Sequence, residues 1–588
     1  MVQIKLPPWL ENKYLLLFDK LNASTFTMEQ AKSILRLSDV DKVKGVAVVL
    51  SELRKAGWLE LQPDPEDARK SIYCLKSKEE IIKSVFDVEK LSRSDIEGIL
   101  KKAADLIRTR VDYKFILILL FYKRISDKWE AEYEKAYDEA IHDEFSEIEA
   151  EEEARNAAYH DFIIPMEYLW ENIRKDVTKL PEKFSQALKV LAEKNQELKD
   201  VLDNVDFIQF TTNRENAEIL RQLVELFSEK KLNHVSADIL GDAYEWVLRY
   251  FAPDKAKEGE VYTPREVIKL LVEILDPKPG QSVYDPASAS NGMLIISYEH
   301  VKESKGKKEA DKLFLYGQEA NHKTLAFGRM NMYIHDIRNA KLAYGDTLLY
   351  PKFKEGENVQ QFDIVIANPP WNQDGYDELV LKKGEFWKKR FAYGFVPKQS
   401  ADLAWIQHML ASSKEKVGIV IDNGCLFRGG KERAVRMKVI DGDANLQGDL
   451  IEAIILLPEK LFYNTGAPGA ILIFNKKKKH KNEILFINAS TEFEKHPDVR
   501  KLNWLSDENT KKISDTYHAW KEEEGFSRIV KLDEIRKNDY NLNITLYVYP
   551  EDEIEDIDIM KEWEGLKELE NQEKEVDKKI EGYLKEIG

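Results

Sequence analysis

The chain has 588 residues, too many for one hydrophobic core, and three or four domains are expected. At 43% hydrophobic and 33% charged it has a soluble, globular composition; no long uncharged apolar run suits a membrane span, and no signal peptide is expected at Met1–Lys5. Cys74 and Cys425 are its only cysteines, which argues against a disulfide framework or a zinc site and suits a reducing cytoplasm, while a formal net charge of −17 argues against a stand-alone DNA binder.

Residues 1–84 read as a separate winged-helix-like module. Trp9–Leu21 suits a helix, Thr27-Met28-Glu29-Gln30 resembles a capping box opening a second, and Asp41–Ala56 suits a third stopped by Gly57. Trp58–Leu61 and Ser71–Cys74-Leu75 then suit a hairpin around the loop Pro63–Lys70. The module admits two readings: DNA contact through Lys42, Lys44, Arg54, Lys55, Arg69 and Lys70, or protein interaction. Residues 85–250 have helical spacing, with an all-apolar run Phe115–Tyr122 that suits a buried helix and an acidic run Asp138–Arg155 that suits a solvated face.

From about Ala252 the pattern becomes α/β. Short apolar segments (Ser282–Tyr284, Leu313–Tyr316, Phe362–Ala367, Val417–Ile421, Leu450–Leu456, Gly469–Phe474) alternate with helical stretches, as in a mostly parallel, doubly wound sheet covered on both faces. In such a sheet ligands sit at the carboxyl ends of strands. The first end opens into Asp285-Pro286-Ala287-Ser288-Ala289-Ser290-Asn291-Gly292, small residues leading into a helix whose N-terminus favours a carboxylate. The next ends in Glu319, suited to ribose hydroxyls, and Asp346 follows a third and suits an adenine amino group. Singly, each acidic residue reads as a solvated strand end or a cap.

Phe362–Ala367 ends in Asn368-Pro369-Pro370-Trp371. The prolines remove two backbone donors, leaving nearby carbonyls free as acceptors. With the Asn368 amide oxygen and the Trp371 ring, this corner can grip an exocyclic amine and stack its ring; alone it also reads as a stiff turn with a core tryptophan. The set of strand ends resembles the DNA amino-methyltransferases that use S-adenosylmethionine.

Further segments narrow the resemblance: Gly259–Val267, Arg390–Gly394, Ala401–Leu410, Asn423–Gly430, Leu461–Gly466 and Lys537–Ile544, with Ala103–Asp127 upstream. Together, in this order, they resemble the modification (M) subunit of Type I restriction–modification systems over roughly Val88 to Tyr549. The resemblance implies a seven-stranded methyltransferase sheet in residues 251–490, an N-terminal helical domain in 85–250, and a C-terminal segment with a helical tail for partner docking in 491–588. It implies that Tyr262, Thr263 and Pro264, flanked by Glu260, Val261 and Arg265, contact the methionine moiety, and that Asp285, Ser290, Asn291 and Gly292 cradle the cofactor. Glu319 and Asp346 would hold ribose and adenine. Asn368 and the Pro369 carbonyl, with Pro370, would bind the N6 amine of an adenine flipped from double-stranded DNA, and Trp371 would stack on it. The partners implied are a specificity (S) subunit, a restriction (R) subunit and a second M subunit.

One motif departs from the family's Asp-Pro-x-x-Gly-x-Gly-Gly: Ala289 and Asn291 replace glycines. Asn tolerates left-handed φ, whereas Ala289 carries a cost if φ is positive there. The departure leaves open an M-like scaffold without methyl transfer, and cytosine-N4 methylation is a third reading. No Walker A loop and no nuclease motif is found in the sequence.

Overall fold

The computed structural model describes residues 7–21, 25–36, 45–56, 58–63, 71–76, 91–107, 111–143, 145–195, 214–255, 263–463, 465–496 and 501–549, with isolated positions between and after these segments. It forms two compact units: residues 1–96 with 231–236, and the remainder.

In the first unit, helices Pro8–Leu21, Met28–Arg36 and Val46–Lys55 accompany strands β1 (Thr25–Phe26), β2 (Leu59–Pro63) and β3 (Ser71–Leu75), ordered β1-β3-β2 and antiparallel throughout. The apolar stripe of each helix explains the assembly: Leu10, Tyr14 and Leu17 meet Leu50, Leu53, Trp58 and Leu75 in one core. Thr27 and Gln30 make the reciprocal capping bonds, backbone N–H of Thr27 to Gln30 Oε1 at 2.8 Å and N–H of Gln30 to Thr27 Oγ1 at 3.4 Å. Lys42, Lys44, Gly57, Arg69 and Lys70 lie outside the described residues.

The second unit opens with helices, including Lys114–His142, in which every residue from Phe115 to Lys123 is buried. Further along that helix Ser126 Oγ accepts the backbone N–H of Trp170 at 2.7 Å. The acidic run ends that helix and then forms a second, Glu147–Ala154, opened by a Ser146–Glu149 capping box, with its glutamates largely exposed.

A nine-stranded sheet follows: β4 (Ser282–Asp285), β5 (Phe314–Glu319), β6 (Lys341–Tyr344), β7 (Phe362–Ala367), β8 (Ser413–Asp422), β9 (Ile451–Leu456), β10 (Gly469–Asn475), β11 (Glu483–Asn488) and β12 (Ser527–Lys531). Its order is β12-β11-β9-β10-β8-β7-β4-β5-β6. Five of the eight pairings are parallel and three antiparallel. The seven strands from β6 to β9 form the expected sheet; β11 and β12 extend it to nine at the far edge. Side chains alternate between two cores: Ile364 and Ile366 enter one, built with helices Arg265–Leu275 and Gly292–Lys305, whereas Val365 and Ala367 enter the other, built with helix Asp402–Ala411. Burial on both faces is why these strands read as continuous apolar runs. The order reverses direction at β4 and β7, which places a crevice at their carboxyl ends. Among the described residues no helix is long and apolar enough to cross a membrane.

Candidate active site

The loop after β4 carries the departure from the glycine-rich motif. Ala289 has φ +44° and Asn291 φ +64°. Asn accepts the left-handed region readily; at Ala289 the Cβ costs roughly 1–2 kcal/mol. The Asn291 side chain is fully buried and turns to the inner side of the loop. A Cβ on Gly317 would lie 3.1 Å from Asn291 Oδ1 and 3.0 Å from Ser288 Oγ; one on Gly328 would lie 2.5 Å from Asn291 Nδ2 and 2.9 Å from the Ala289 carbonyl. These two glycines, which sequence reasoning missed, make room for the larger Asn291. The available signal was an unbroken helix, His322–Ile334, with a glycine inside it; such a glycine usually has a packing reason.

Asp285, at the end of β4, is buried, and its carboxyl accepts the Ala287 N–H at 3.0 Å. Burial pushes the carboxyl up to about 8, opposed by the Ala287 N–H and reinforced by Glu319. The folded value exceeds the unfolded one, so the folded chain keeps a proton that the unfolded chain has lost. Stability from this group is full below the ordinary carboxylate range and is lost as pH rises towards about 8. Asp285→Asn is expected to raise the melting temperature relative to the parent, with a gain that grows with pH across that window; a gain independent of pH would show that Asp285 is ionised throughout.

Glu319 ends β5. Its carboxylate accepts the Ala289 N–H at 3.0 Å and the Asn321 N–H at 2.7 Å, so it also ties down the loop. Burial raises its carboxyl, opposed by the backbone N–H groups of Asn321, Ala289 and Ala320. Asp346 follows β6; it accepts the Leu349 N–H at 3.1 Å and the Tyr376 hydroxyl at 2.9 Å. Arg390, fully buried, holds the backbone just beyond it by donating to the carbonyls of Thr347 at 3.0 Å and Leu348 at 2.7 Å.

At the end of β7 the Asn368 amide has a fixed orientation. The Trp371 indole N–H can only donate, and it meets Asn368 Oδ1 at 2.8 Å; Asn368 Nδ2 donates to Thr263 Oγ1 at 2.7 Å. Trp371 is half-buried, with its ring edge-on to Phe462 at 4.7 Å. Among the described residues no hydrogen bond ends on the Pro369 carbonyl.

A cavity of about 30 Å³ joins these segments, lined in part by Thr263, Asp285, Ala289, Ser290, Gly292 and Asn368. Glu245, which sequence reasoning did not single out, lines it as well and accepts from Asn331 Nδ2 at 3.0 Å. Asn291 is not among its described lining residues. Arg265 is not either: its guanidinium pairs with Asp242 at 3.2 Å and Glu299 at 2.8 Å, an anchor for the segment that carries Thr263. Glu260, Val261 and Tyr262 lie outside the described residues.

A family model described as N-6 DNA Methylase matches residues 235–556, and the HsdM N-terminal domain model matches 96–227. The Type I restriction enzyme MjaVII methylase subunit of Methanocaldococcus jannaschii is 44% identical over 592 residues, covering 98% of this chain and 97% of that protein. The MpnII methylase subunit of Mycoplasma pneumoniae is 29% identical over 84% of this chain and 96% of that one. A solved type I restriction-modification methyltransferase subunit from Streptococcus thermophilus has a TM-score of 0.66 at 25% identity, covering 78% of this chain and 100% of that one. Two family models in tandem, full-length relatives and the nine-stranded sheet agree: the chain belongs to the N-6 DNA methylase family, among the methylase subunits of Type I restriction enzymes, and is an adenine-specific DNA methyltransferase.

Proposed function

We propose that this subunit transfers the methyl group of S-adenosylmethionine to N6 of an adenine flipped out of double-stranded DNA, at sites chosen by a specificity subunit, in an assembly with a second M subunit and a restriction subunit that cleaves. The observation that carries this reading is the Asn368 amide, locked between Trp371 and Thr263 beside the cavity of the small-residue loop.

The donor set fits the cofactor. The N-terminus of helix Gly292–Lys305 suits a carboxylate. Glu319 uses two acceptor sites on backbone N–H groups and keeps further lone pairs for ribose hydroxyls. Asp346 stands one loop further on for the adenine amine. The 30 Å³ space at the corner suits one small group, so the rest of the donor would lie along the loop's open side. When bound, S-adenosylmethionine supplies an electrophilic methyl on its sulfonium.

The chain's residues do the rest. Asn368 Oδ1 keeps a lone pair beyond its indole bond, and the Pro369 carbonyl is a second acceptor. Accepting both amine hydrogens draws the N6 lone pair out of the ring and towards the methyl. The amine would gain the methyl as the donor's S–CH3 bond breaks to leave a neutral thioether, and the methylated nitrogen would then give up its surplus proton to solvent; positioning with exclusion of water during the transfer supplies most of the acceleration. Trp371 holds the amide and offers its remaining surface to the base.

The test is incubation of the complex with methyl-labelled donor and duplex DNA, followed by hydrolysis and chromatography of the bases. Label in N6-methyladenine is expected. Label in N4-methylcytosine would shift the assignment to that chemistry; no label with no donor binding by calorimetry would leave the scaffold reading.

A further inference from the structure

We propose that Asp402 is a positioning residue for this transfer, a buried carboxylate that clamps the chain just downstream of the Asn368–Trp371 corner; the assignment rests on the methyltransferase reading above. The corner runs directly into Asn372, whose φ of +51° turns the chain sharply. That turn is also held from outside its own segment. The Asn372 N–H donates to Asp402 Oδ1 at 2.8 Å. Gln373 is held from the same place: its carbonyl accepts the Ala401 N–H at 3.0 Å, and its Oε1 accepts the Trp405 indole N–H at 3.1 Å. Both residues after the corner are therefore fastened to the start of helix Asp402–Ala411.

Asp402 is itself held. It is fully buried, and its second oxygen accepts from Arg428 Nη2 at 2.8 Å. Arg428 also meets Asp422 at 2.9 Å and Glu432 at 2.8 Å, and it donates to Ser400 Oγ at 3.1 Å. Asp422 ends β8, the strand parallel to β7, and Ile419 of β8 sits opposite Ala367, the residue before Asn368. The guanidinium thus ties the downstream side of the corner to the neighbouring strand end. The upstream side is fixed by β7 itself, and the Trp371 ring is wedged against Phe462 and Gly469, where a Cβ would lie 2.8 Å from the indole. Without the Asp402 carboxylate the downstream side would be held only one residue further on, at Gln373, and the left-handed turn at Asn372 would lose the acceptor for its own N–H.

Burial pushes the Asp402 carboxyl up against the pull of the Asn372 N–H and Arg428. A buried charged network is a poor source of net stability compared with apolar packing; what it gives is one fixed geometry. Misplacement by about 1 Å near a reacting centre can cost on the order of a hundredfold in rate.

The test uses Asp402→Asn in the chain purified with its specificity partner. Asn fills the same space but keeps a single acceptor oxygen, so it can accept from the Asn372 N–H or from Arg428 but not from both, and its NH2 faces the other donor. Single-turnover methyl transfer per donor-binding site is expected to fall about 10- to 100-fold, with donor affinity within about twofold of the parent. A merely structural role would lower the number of donor-binding sites and the melting temperature but leave the rate per site unchanged, and that result overturns the proposal. If Asp402→Asn does not fold, Arg428→Lys serves in its place, keeping the charge while losing the fork; it should transfer at an intermediate rate per site, and a parental rate overturns the proposal. Failure of the parent complex to methylate DNA would overturn the underlying transfer reading, and this assignment with it.

Discussion

Asn368→Ala is expected to reduce methyl transfer by roughly three orders of magnitude, the scale of losing a preorganised hydrogen-bonding group at the reacting atom. Donor affinity should stay near the parental value, because Asn368 meets the cavity from the β7 side, whereas the donor groups assigned to the loop and strand ends, Glu319 and Asp346, lie on β5 and the turn after β6. The geometry gives a reason to expect so large an effect. Trp371 and Thr263 fix its orientation from both ends, so the free lone pair on Oδ1 is aimed before any substrate arrives. An unanchored amide could flip and present its NH2, which repels an amine. Single-turnover transfer with labelled donor and calorimetry with S-adenosylmethionine separate the two effects. Parental turnover in the variant would remove Asn368 from the reaction, and lost donor binding would move its role from the base to the cofactor.

The corner was legible in the sequence because it is local: a β-branched run, two prolines and an aromatic within ten residues state their geometry without help from the rest of the chain. Strands buried on both faces were legible for the same reason, as unbroken apolar runs. The capping boxes at Thr27 and Ser146 are four-residue signals, although only the first was singled out. The edge strand β12 and its neighbour β11 were not singled out, since Ser527–Lys531 is short and partly exposed, and Glu483–Asn488 follows a lysine-rich turn that masks its start.

What the sequence hid is long-range. Asn291 looks like a flaw in a glycine motif until Gly317 and Gly328, 26 and 37 residues on, are seen to enclose it. Arg265 lies in a segment that resembles the cofactor-contacting one, yet its charge is spent on Asp242 and Glu299 of two other helices. Asp402 stands in the Ala401–Leu410 segment that carries the resemblance, but nothing there names its partner, because its contact with Asn372 crosses 30 residues. No periodicity encodes such contacts, because they depend on how the elements pack.

Glu319→Ala should weaken S-adenosylmethionine binding about a hundredfold, the cost of removing a hydrogen-bonded charged acceptor from its site. Two losses coincide there. In the proposed donor pose the ribose hydroxyls would lose their acceptor, and the N–H groups of Ala289 and Asn321 lose theirs. The second loss matters because Ala289 sits at φ +44° without the freedom of glycine. A strained residue persists only where its surroundings over-determine it, and the Glu319 carboxylate is the side-chain partner that pins its N–H. Removing it should let the loop relax out of the shape proposed to receive the donor carboxylate, so the melting temperature should also fall, by the equivalent of about 1–3 kcal/mol for the orphaned backbone groups. Glu319→Gln keeps one acceptor oxygen and should fall between the two. Pairing with Ala289→Gly separates the losses: the glycine relieves the strain without restoring the ribose acceptor, so it should recover melting temperature in the Glu319→Ala background while donor affinity stays low. If affinity recovers as well, Glu319 acts on the donor only through the loop, and the ribose contact falls.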